Sequence, residues 1–288
     1  MTDTKDDHGF VEGDTLVKNE NQALTPRARG AIQGIEDAPS QIYERPIPMD
    51  IKASEFQPET QQVLRENGLD NGDVVLADHR GKNAEAVVAT IFGFEGLPEG
   101  NLERTKLKNI VPGHYNSQRH GIDLIGVTAD GKPIPIECKK RQRPKKDSLG
   151  DDSISDDRLE PESLMLRDEI LREREINPAM RLTSENLGQT TPDSELSLDQ
   201  MGGLWTRDRW LKLVKDGDNY ERLRQAGVSE EYLSIDNLGR PYSEQWRDIL
   251  DRRIVVIVTT EKENVSNLLY SQALFERGCN VAVLNLKS

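Results

Sequence analysis

The sequence predicts an α/β domain in which a mixed central sheet is flanked by helices, with a helical and loop-rich insertion and a mobile N-terminal arm. Residues 121–140 form two apolar segments on either side of an Asp-Gly turn, which predicts a β-hairpin. Residues 82–94 and 198–214, before and after that hairpin, carry apolar side chains at helical spacing. Residues 253–286 have the pattern strand, helix, strand. Because a hairpin and a strand-helix-strand unit occur in one chain, we expect a mixed sheet covered by helices.

The composition excludes a membrane-spanning protein. The chain has 288 residues, of which 35% are hydrophobic, and its 51 acidic and 38 basic residues give a net charge of −13. No run approaches the roughly 18 apolar residues that cross a bilayer, and the charged first residues do not begin a standard secretory signal. Cys138 and Cys279 alone cannot form a disulfide framework. We therefore expect a cytoplasmic protein.

Two parts of the chain have no sustained periodicity. Residues 1–56 are polar with scattered prolines, which is typical of a mobile arm with at most short ordered pieces. We expect the folded domain over residues 57–288. Within it, residues 141–195 are rich in charge, Ser, Pro and Asn, and we interpret them as an insertion rather than a second domain. The remaining predicted elements are a strand near residues 107–116 and helices near 58–67, 164–176, 220–226, 230–233, 243–250 and 265–277.

The second strand of the hairpin carries charge on one face. Side chains alternate along residues 133–140, so Glu137 and Lys139 share a face while Cys138 lies on the other as a core thiol. The short turn brings Asp123, in the first strand, within reach of Glu137. Charges on an otherwise apolar strand pair cost free energy unless function requires them. Two converging carboxylates suit a hard divalent cation such as Mg²⁺ or Mn²⁺, and the ammonium can steady a phosphate oxygen or a water.

The spacing of these residues resembles a known nuclease signature. Asp123, followed after thirteen residues by a Glu-Cys-Lys triplet that begins at Glu137, is similar to the Asp…(Asp/Glu)-x-Lys motif of the PD-(D/E)xK nuclease superfamily. Ile122 stands where members usually have proline. The predicted order helix, three strands, helix, strand also fits that family.

The resemblance covers roughly residues 80–140 and 196–286. It implies a restriction-endonuclease-like fold and a Mg²⁺-dependent nuclease. By this resemblance Asp123 and Glu137 would hold the metal. Lys139 would orient the attacking water or stabilise the pentavalent phosphorus.

Two further positions match the family by their place in the chain. Glu85, in the helix before the strands, resembles the helical glutamate that many members add to the metal shell, although a solvent-facing glutamate explains it equally well. Gln200 resembles a glutamine that opens the next helix in several toxin nucleases and would hold water or phosphate. A polar residue at a helix start is the alternative. Gly202-Gly203 inside that helix would be costly and indicates a close approach of backbone or ligand.

Charge is unevenly distributed along the chain. Residues 104–146 contain eleven basic and three acidic residues, a net charge of +8, which leaves −21 for the remainder. Such a segment indicates an anionic partner, while a solvated loop over residues 139–146 is the alternative. The residues that we expect to contact nucleic-acid phosphates are Arg119, Lys140, Arg141, Arg143, Lys145 and Lys146.

Together these features predict a metal-dependent phosphodiesterase that cleaves nucleic acid, and we favour DNA over RNA. A restriction-like enzyme, a repair enzyme and a toxin-type effector remain open, as does a homodimer. If the protein is a toxin, we expect an acidic immunity-type inhibitor as its partner and export without a standard signal. The alternative function is a non-catalytic nucleic-acid-binding or assembly protein with a nuclease-like fold. The residue types of the HNH nuclease motif also occur, at His114, Asn116 and His120, but the hairpin-helix context of that motif is not evident.

Overall fold

The computed structural model describes residues 49–78, 80–97, 106–114, 121–141, 159–176, 196–260 and 278–286. All of them belong to the larger of two units, Arg45–Ser288. No helix in these ranges is long and apolar enough to cross a membrane. The predictions for the arm before residue 49 and for a helix over residues 265–277 lie outside the described residues.

Six strands of the described residues form one mixed sheet. In chain order they are β1 (Met49–Lys52), β2 (Leu107–Pro112), β3 (Leu124–Thr128), β4 (Pro133–Arg141), β5 (Ile254–Thr259) and β6 (Asn280–Asn285). Their order across the sheet is β1-β6-β5-β4-β3-β2. Strands β1, β6, β5 and β4 are parallel, whereas β3 is antiparallel to β4 and β2 is antiparallel to β3. The mixed α/β architecture predicted from the sequence is confirmed.

The described helices lie before and after the three strands β2, β3 and β4. Three precede β2, namely α1 (Pro58–Glu66), α2 (Gly72–Ala77) and α3 (Lys82–Glu95). The described residues between β4 and β5 contain six helices, namely α4 (Pro161–Ile176), α5 (Gly203–Lys215), α6 (Gly217–Ala226), α7 (Glu230–Leu233), α8 (Ile235–Leu238) and α9 (Glu244–Asp251). The hairpin turn is as predicted, with Gly131 at φ 81° and a hydrogen bond of 3.0 Å from Thr128 N–H to the Lys132 carbonyl.

A hydrophobic core lies on each face of the sheet. All six residues of β5 are buried, which is typical of a central parallel strand covered on both sides. Its alternate residues Val255 and Ile257 pack with helices α4 to α9. Ile254, Val256 and Val258 pack with helices α1 to α3. The three tryptophans of the chain are buried in the first of these cores. The result is a helix–sheet–helix sandwich.

A short ordered piece lies within residues 1–56, the segment predicted to be an arm with at most short ordered pieces. Met49–Lys52 forms strand β1, which pairs in parallel with β6 so that Met49 lies opposite Ala282. Helix α2 was also absent from the prediction. Four-residue and six-residue elements contain too few side chains to display a period. The place of β1 is determined by a partner strand near the other end of the chain.

The predicted insertion is attached to the main core through helix α4. Asp208 on α5 is fully buried and accepts hydrogen bonds from the backbone N–H of Glu160 at 2.8 Å and the hydroxyl of Ser163 at 3.2 Å, both at the start of α4. Lys212 Nζ lies 2.8 Å from the same carboxylate. A carboxylate at the N-terminal end of a helix satisfies unpaired N–H groups and interacts favourably with the helix dipole. Leu166 of α4 lies in the same core as α5.

Candidate functional site

Strands β3 and β4 separate at one end, and the gap positions Asp123 beside Glu137. The last residues paired between the two strands are Leu124 and Ile136, and β4 then continues alongside β5 alone. The backbone N–H of Cys138 therefore donates to Asp123 Oδ2, at 2.7 Å, instead of to a neighbouring strand. Asp123 lies one residue before β3 rather than inside a strand as predicted. A carboxylate thus replaces the strand partner that β4 has lost.

Glu137 is the centre of the site. Its side chain is only 3% exposed, and its Oε1 atom accepts a hydrogen bond of 2.5 Å from Gln200 Nε2. Lys139, two residues along β4 on the same face, has its Nζ 3.1 Å from the same oxygen. The structure therefore brings together Asp123, Glu137, Lys139 and Gln200, which the sequence analysis nominated from three separate segments.

Burial raises the pKa of both carboxyl groups. For Glu137, burial is the main cause and the charge of Asp123 adds to it, so that its pKa lies well above the usual range despite the opposing ammonium of Lys139. For Asp123, burial raises the pKa most, the N–H of Cys138 opposes this, and the charge of Glu85 acts with burial. The single ammonium of Lys139 does not offset the carboxyl groups of Asp123, Glu137 and Glu85. A divalent cation would reverse the effect on both groups.

One oxygen of Glu137 also indicates a cation. Its Oε2 atom is buried and has no hydrogen-bond partner in the part of the chain that the structure describes. A buried carboxylate oxygen without a partner costs free energy, and such groups are rare in folded proteins. Carboxylate oxygens are the ligands that Mg²⁺ prefers. The residues present therefore fit a divalent metal ion held by Asp123 and Glu137.

His114 joins this site, although the sequence analysis did not identify it as a ligand. Its Nε2 atom lies 3.5 Å from Glu85 Oε2 and 4.0 Å from Asp123 Oδ1, and the three groups form a cluster that could hold an ion. Ligands that each lie about 2.1 Å from one ion are about 3–4 Å apart, which is similar to these distances. The Glu85 side chain is 24% exposed and lies against His114, and its role as a ligand stays a prediction. A histidine nitrogen suits transition ions better than Mg²⁺.

His114 lies at the site because it follows the end of strand β2, next to Asp123. The N–H of Gly113 donates to the carbonyl of Asp123 at 3.0 Å, which places the next residue beside Asp123. A Cβ atom at Gly113 would lie 2.6 Å from the carbonyl oxygen of Ile122, so the strands approach this closely only because the residue is glycine. Arg222 of α6 donates to the carbonyl of His114 at 3.2 Å. The sequence contains a Gly-His pair directly after a predicted strand. This pair identifies His114 as a ligand only when the register of β2 against β3 is known.

A tight turn, rather than a helix, presents Gln200. Helix α5 begins at Gly203 and not at residue 198 as predicted, with Gly202 as its N-cap. The N–H of Trp205 donates to the carbonyl of Ser197 at 3.1 Å, which closes the turn. A side chain at Gly202 would collide with that carbonyl. The close backbone approach expected of this glycine pair is confirmed at Gly202.

Met201 holds this turn in an unusual conformation. It has a φ of 65°, the left-handed region, which costs a non-glycine residue roughly 1–2 kcal/mol. Its side chain is fully buried, and its carbonyl accepts hydrogen bonds from Arg253 Nη1 at 2.5 Å and from the thiol of Cys279. These contacts offset the strain and fix the residue that follows Gln200. Backbone strain of this kind is concentrated at functional sites.

The predicted phosphate contact of Lys140 is not supported by its position. Its Nζ donates to the carbonyl of Leu76 at 3.3 Å and to the carbonyl of Asp78, where helix α2 ends. Lysine side chains near a helix C-terminus satisfy such unpaired carbonyls. Lys140 is therefore engaged within the domain.

The other predicted phosphate contacts remain predictions. Arg141 is the last residue of β4. Arg119, Arg143, Lys145 and Lys146 lie outside the described residues, as do Asn116 and His120.

Cys138 fits the core position predicted for it. It packs against the core formed by helices α1 to α3, on the opposite face from Glu137. Burial raises the pKa of its thiol well above the usual value, which disfavours the reactive thiolate.

Comparisons of this chain with protein-family models, curated proteins and solved structures found no match.

Proposed function

We propose that this chain is a metal-dependent phosphodiesterase that cleaves nucleic acid, and specifically a DNA endonuclease. The observation that carries the proposal is the arrangement around Glu137, a buried carboxylate with Lys139 and Gln200 on one oxygen and, within the described residues, no hydrogen-bond partner on the other. Asp123 lies beside it at the gap between two strands. Carboxylates, an ammonium and an amide at one point are suited to phosphodiester hydrolysis.

The order of elements supports the same proposal. Helix α3, strands β2, β3 and β4, helix α5 and strand β5 follow one another as the resemblance to PD-(D/E)xK nucleases implies. The candidate residues occupy the corresponding places, with Glu85 on α3 and Gln200 just before α5. We accordingly propose a restriction-endonuclease-like fold for this domain.

Asp123 and Glu137 would hold the metal ion, with Glu85 and His114 as further donors. When bound, Mg²⁺ or Mn²⁺ supplies charge neutralisation at the scissile phosphate and makes a coordinated water more acidic. The mixed oxygen and nitrogen donors lead us to expect tighter binding of Mn²⁺ than of Mg²⁺.

The residues of the chain itself orient the reacting groups. The N–H of Cys138 fixes the Asp123 carboxylate, and the amide of Gln200 fixes Oε1 of Glu137, so that Oε2 remains available. The ammonium of Lys139, already beside Glu137, is placed to orient the attacking water or to stabilise negative charge on the phosphate. Such preorganised groups act on charge as it develops.

A plasmid-nicking assay tests this function. Supercoiled DNA should be converted to nicked or linear forms in Mg²⁺ or Mn²⁺, and EDTA should stop the reaction because it removes the ion. Intact DNA in both metals, together with retained DNA binding, would favour the non-catalytic nucleic-acid-binding protein instead.

The basic segment after β4 should contribute to DNA binding rather than to chemistry. Replacing Arg141, Arg143, Lys145 and Lys146 by glutamine should weaken binding and reduce the slope of log K against log salt by up to about 0.9 per lost phosphate contact. The single-turnover rate at saturating DNA should change much less.

A control with the same loss of charge replaces four exposed arginines outside that segment, Arg65, Arg224, Arg240 and Arg247. Equal changes of slope in the two variants would show that overall charge, and not this segment, determines binding.

A further inference from the structure

Lys140 connects the strand that carries Glu137 to the helix that carries Glu85. Its Nζ donates to the carbonyl of Asp78, just after helix α2. The N–H of Gly81 donates to the same carbonyl at 3.2 Å, and the N–H of Glu85 donates to the carbonyl of Gly81 at 3.1 Å. A short series of hydrogen bonds therefore runs from β4 to the backbone of Glu85.

The side chain of Asp78 strengthens this connection. Its Oδ1 accepts from the N–H of Arg80 at 3.0 Å, and its Oδ2 accepts from the N–H of Asn83 at 2.9 Å, in the first turn of α3. The N-cap residue itself, Gly81, has a φ of 76° and no side chain with which to cap the helix. Asp78 supplies that cap, and its carbonyl is the group that Lys140 holds.

The consequence concerns the distance between two parts of the candidate metal site. Glu85 lies in the first turn of α3, where the position of the helix start determines where its carboxylate points. Glu137 lies three residues before Lys140 on the rigid, buried part of β4. A loosened helix start would move Glu85 relative to Asp123 and Glu137 while leaving the hairpin in place.

We infer that Lys140 is a positioning residue, which sets the start of helix α3 so that Glu85 meets Asp123 and His114 at the metal site. The inference rests on the metal site of the proposed function. Lys140 acts through hydrogen bonds to Asp78 and touches neither metal nor substrate. Partners of this kind, which orient a ligand without binding the ion, typically contribute 10- to 100-fold to metal affinity.

Calorimetric titration with Mn²⁺, without DNA, tests the inference. Lys140→Met keeps the length of the side chain and removes the ammonium, and it should weaken Mn²⁺ binding roughly tenfold. Lys140→Arg retains donors for the two carbonyls and should restore most of the affinity. Binding of Mn²⁺ by Lys140→Met with wild-type affinity would overturn the inference.

The matched control is Lys132→Met, at the other end of the same hairpin. Lys132 forms an ion pair of 2.8 Å with Asp248, away from Asp78 and helix α3. This variant loses a lysine ammonium that is also bound within the domain, here to a carboxylate, and it should keep its Mn²⁺ affinity. Equal weakening in both variants would mean that general destabilisation explains the effect.

A double-mutant cycle separates positioning of Glu85 from any other role. Glu85→Gln alone should weaken Mn²⁺ binding, and adding Lys140→Met to it should cause little further loss because both changes act through the same ligand. Additive losses, or an unaltered affinity in Glu85→Gln, would contradict the inference. If circular dichroism shows that Lys140→Met does not fold, Asp78→Ala, which removes the cap on α3, takes its place in the cycle with the same expected result.

These outcomes are independent of cleavage. A chain that shows the expected pattern of Mn²⁺ affinities but leaves plasmid DNA intact would retain the inference and lose the proposed nuclease function. If the wild type cleaves DNA and Lys140→Met binds Mn²⁺ with wild-type affinity, the nuclease function is retained and the inference about Lys140 is lost.

Discussion

Asp123→Asn and Glu137→Gln should each abolish metal-dependent cleavage while leaving the fold intact. Each change removes a proposed ligand and keeps the shape of the side chain. We expect the cleavage rate to fall by more than about a hundredfold, since even the loss of an outer-sphere partner costs 10- to 100-fold. Cleavage at the wild-type rate by either variant would show that the site is misassigned.

The same substitutions should not destabilise the metal-free protein. Burial raises the pKa of Glu137 in the folded state above its unfolded value, so folding favours the protonated form. The stability from this group is present at acid pH and is lost as pH rises through the raised pKa. Glu137→Gln removes that cost, and its melting temperature without metal at pH 7 to 8 should equal or exceed the wild-type value. The stabilisation by added Mn²⁺ that we expect for the wild type should be lost in Glu137→Gln. A large drop in the metal-free melting temperature would indicate a structural role instead.

Lys139→Ala should lower the single-turnover cleavage rate by about 10²–10³ while metal binding is retained. A group aimed at charge that develops in the transition state contributes about this factor. Its removal also deletes a positive charge 3.1 Å from Glu137 Oε1, so metal affinity should stay the same or increase. Single-turnover rates together with calorimetric Mn²⁺ titration measure both quantities.

The neighbouring Lys140 cannot serve as the control for this experiment, because its ammonium holds the carbonyls at the end of α2. Lys132→Ala is a better control, since Lys132 lies on the same hairpin and pairs with Asp248. Comparable rate losses in Lys139→Ala and Lys132→Ala would show that general positive charge, and not a positioned lysine, accounts for catalysis.

The hairpin and its charged face could be predicted because both depend on local sequence. An Asp-Gly turn and a period of two are sufficient to place Glu137 and Lys139 on one face and Cys138 on the other. Helix α3 was equally clear because its 14 residues are enough to show a helical period, and strand β5 because it is an almost continuous apolar run. The convergence of Asp123 with Glu137 followed from the hairpin alone.

The rest of the site depends on contacts that are distant in sequence. His114 reaches Asp123 only through the register of β2 against β3, which no local pattern reveals. The turn before α5 has helix-like composition, but the carbonyl of Met201 is held by Arg253 and Cys279, and these tertiary contacts override the helical preference. Lys140 lies within a run of basic residues, and nothing in the local sequence sets it apart from them. Only the end of helix α2 beside it distinguishes its role.

The left-handed Met201 has a consequence for the order in which the site forms during synthesis. Every proposed catalytic residue, from Glu85 to Gln200, leaves the ribosome before Arg253 and Cys279, the residues that hold the Met201 carbonyl. Strand β5, which pairs with the strand that carries Glu137, is also made after all of them. A nascent chain that ends before β5 therefore lacks both supports of the site. We therefore expect the proposed activity only from a chain that includes β5 and Cys279, since a shorter product carries the catalytic residues without the contacts that align them.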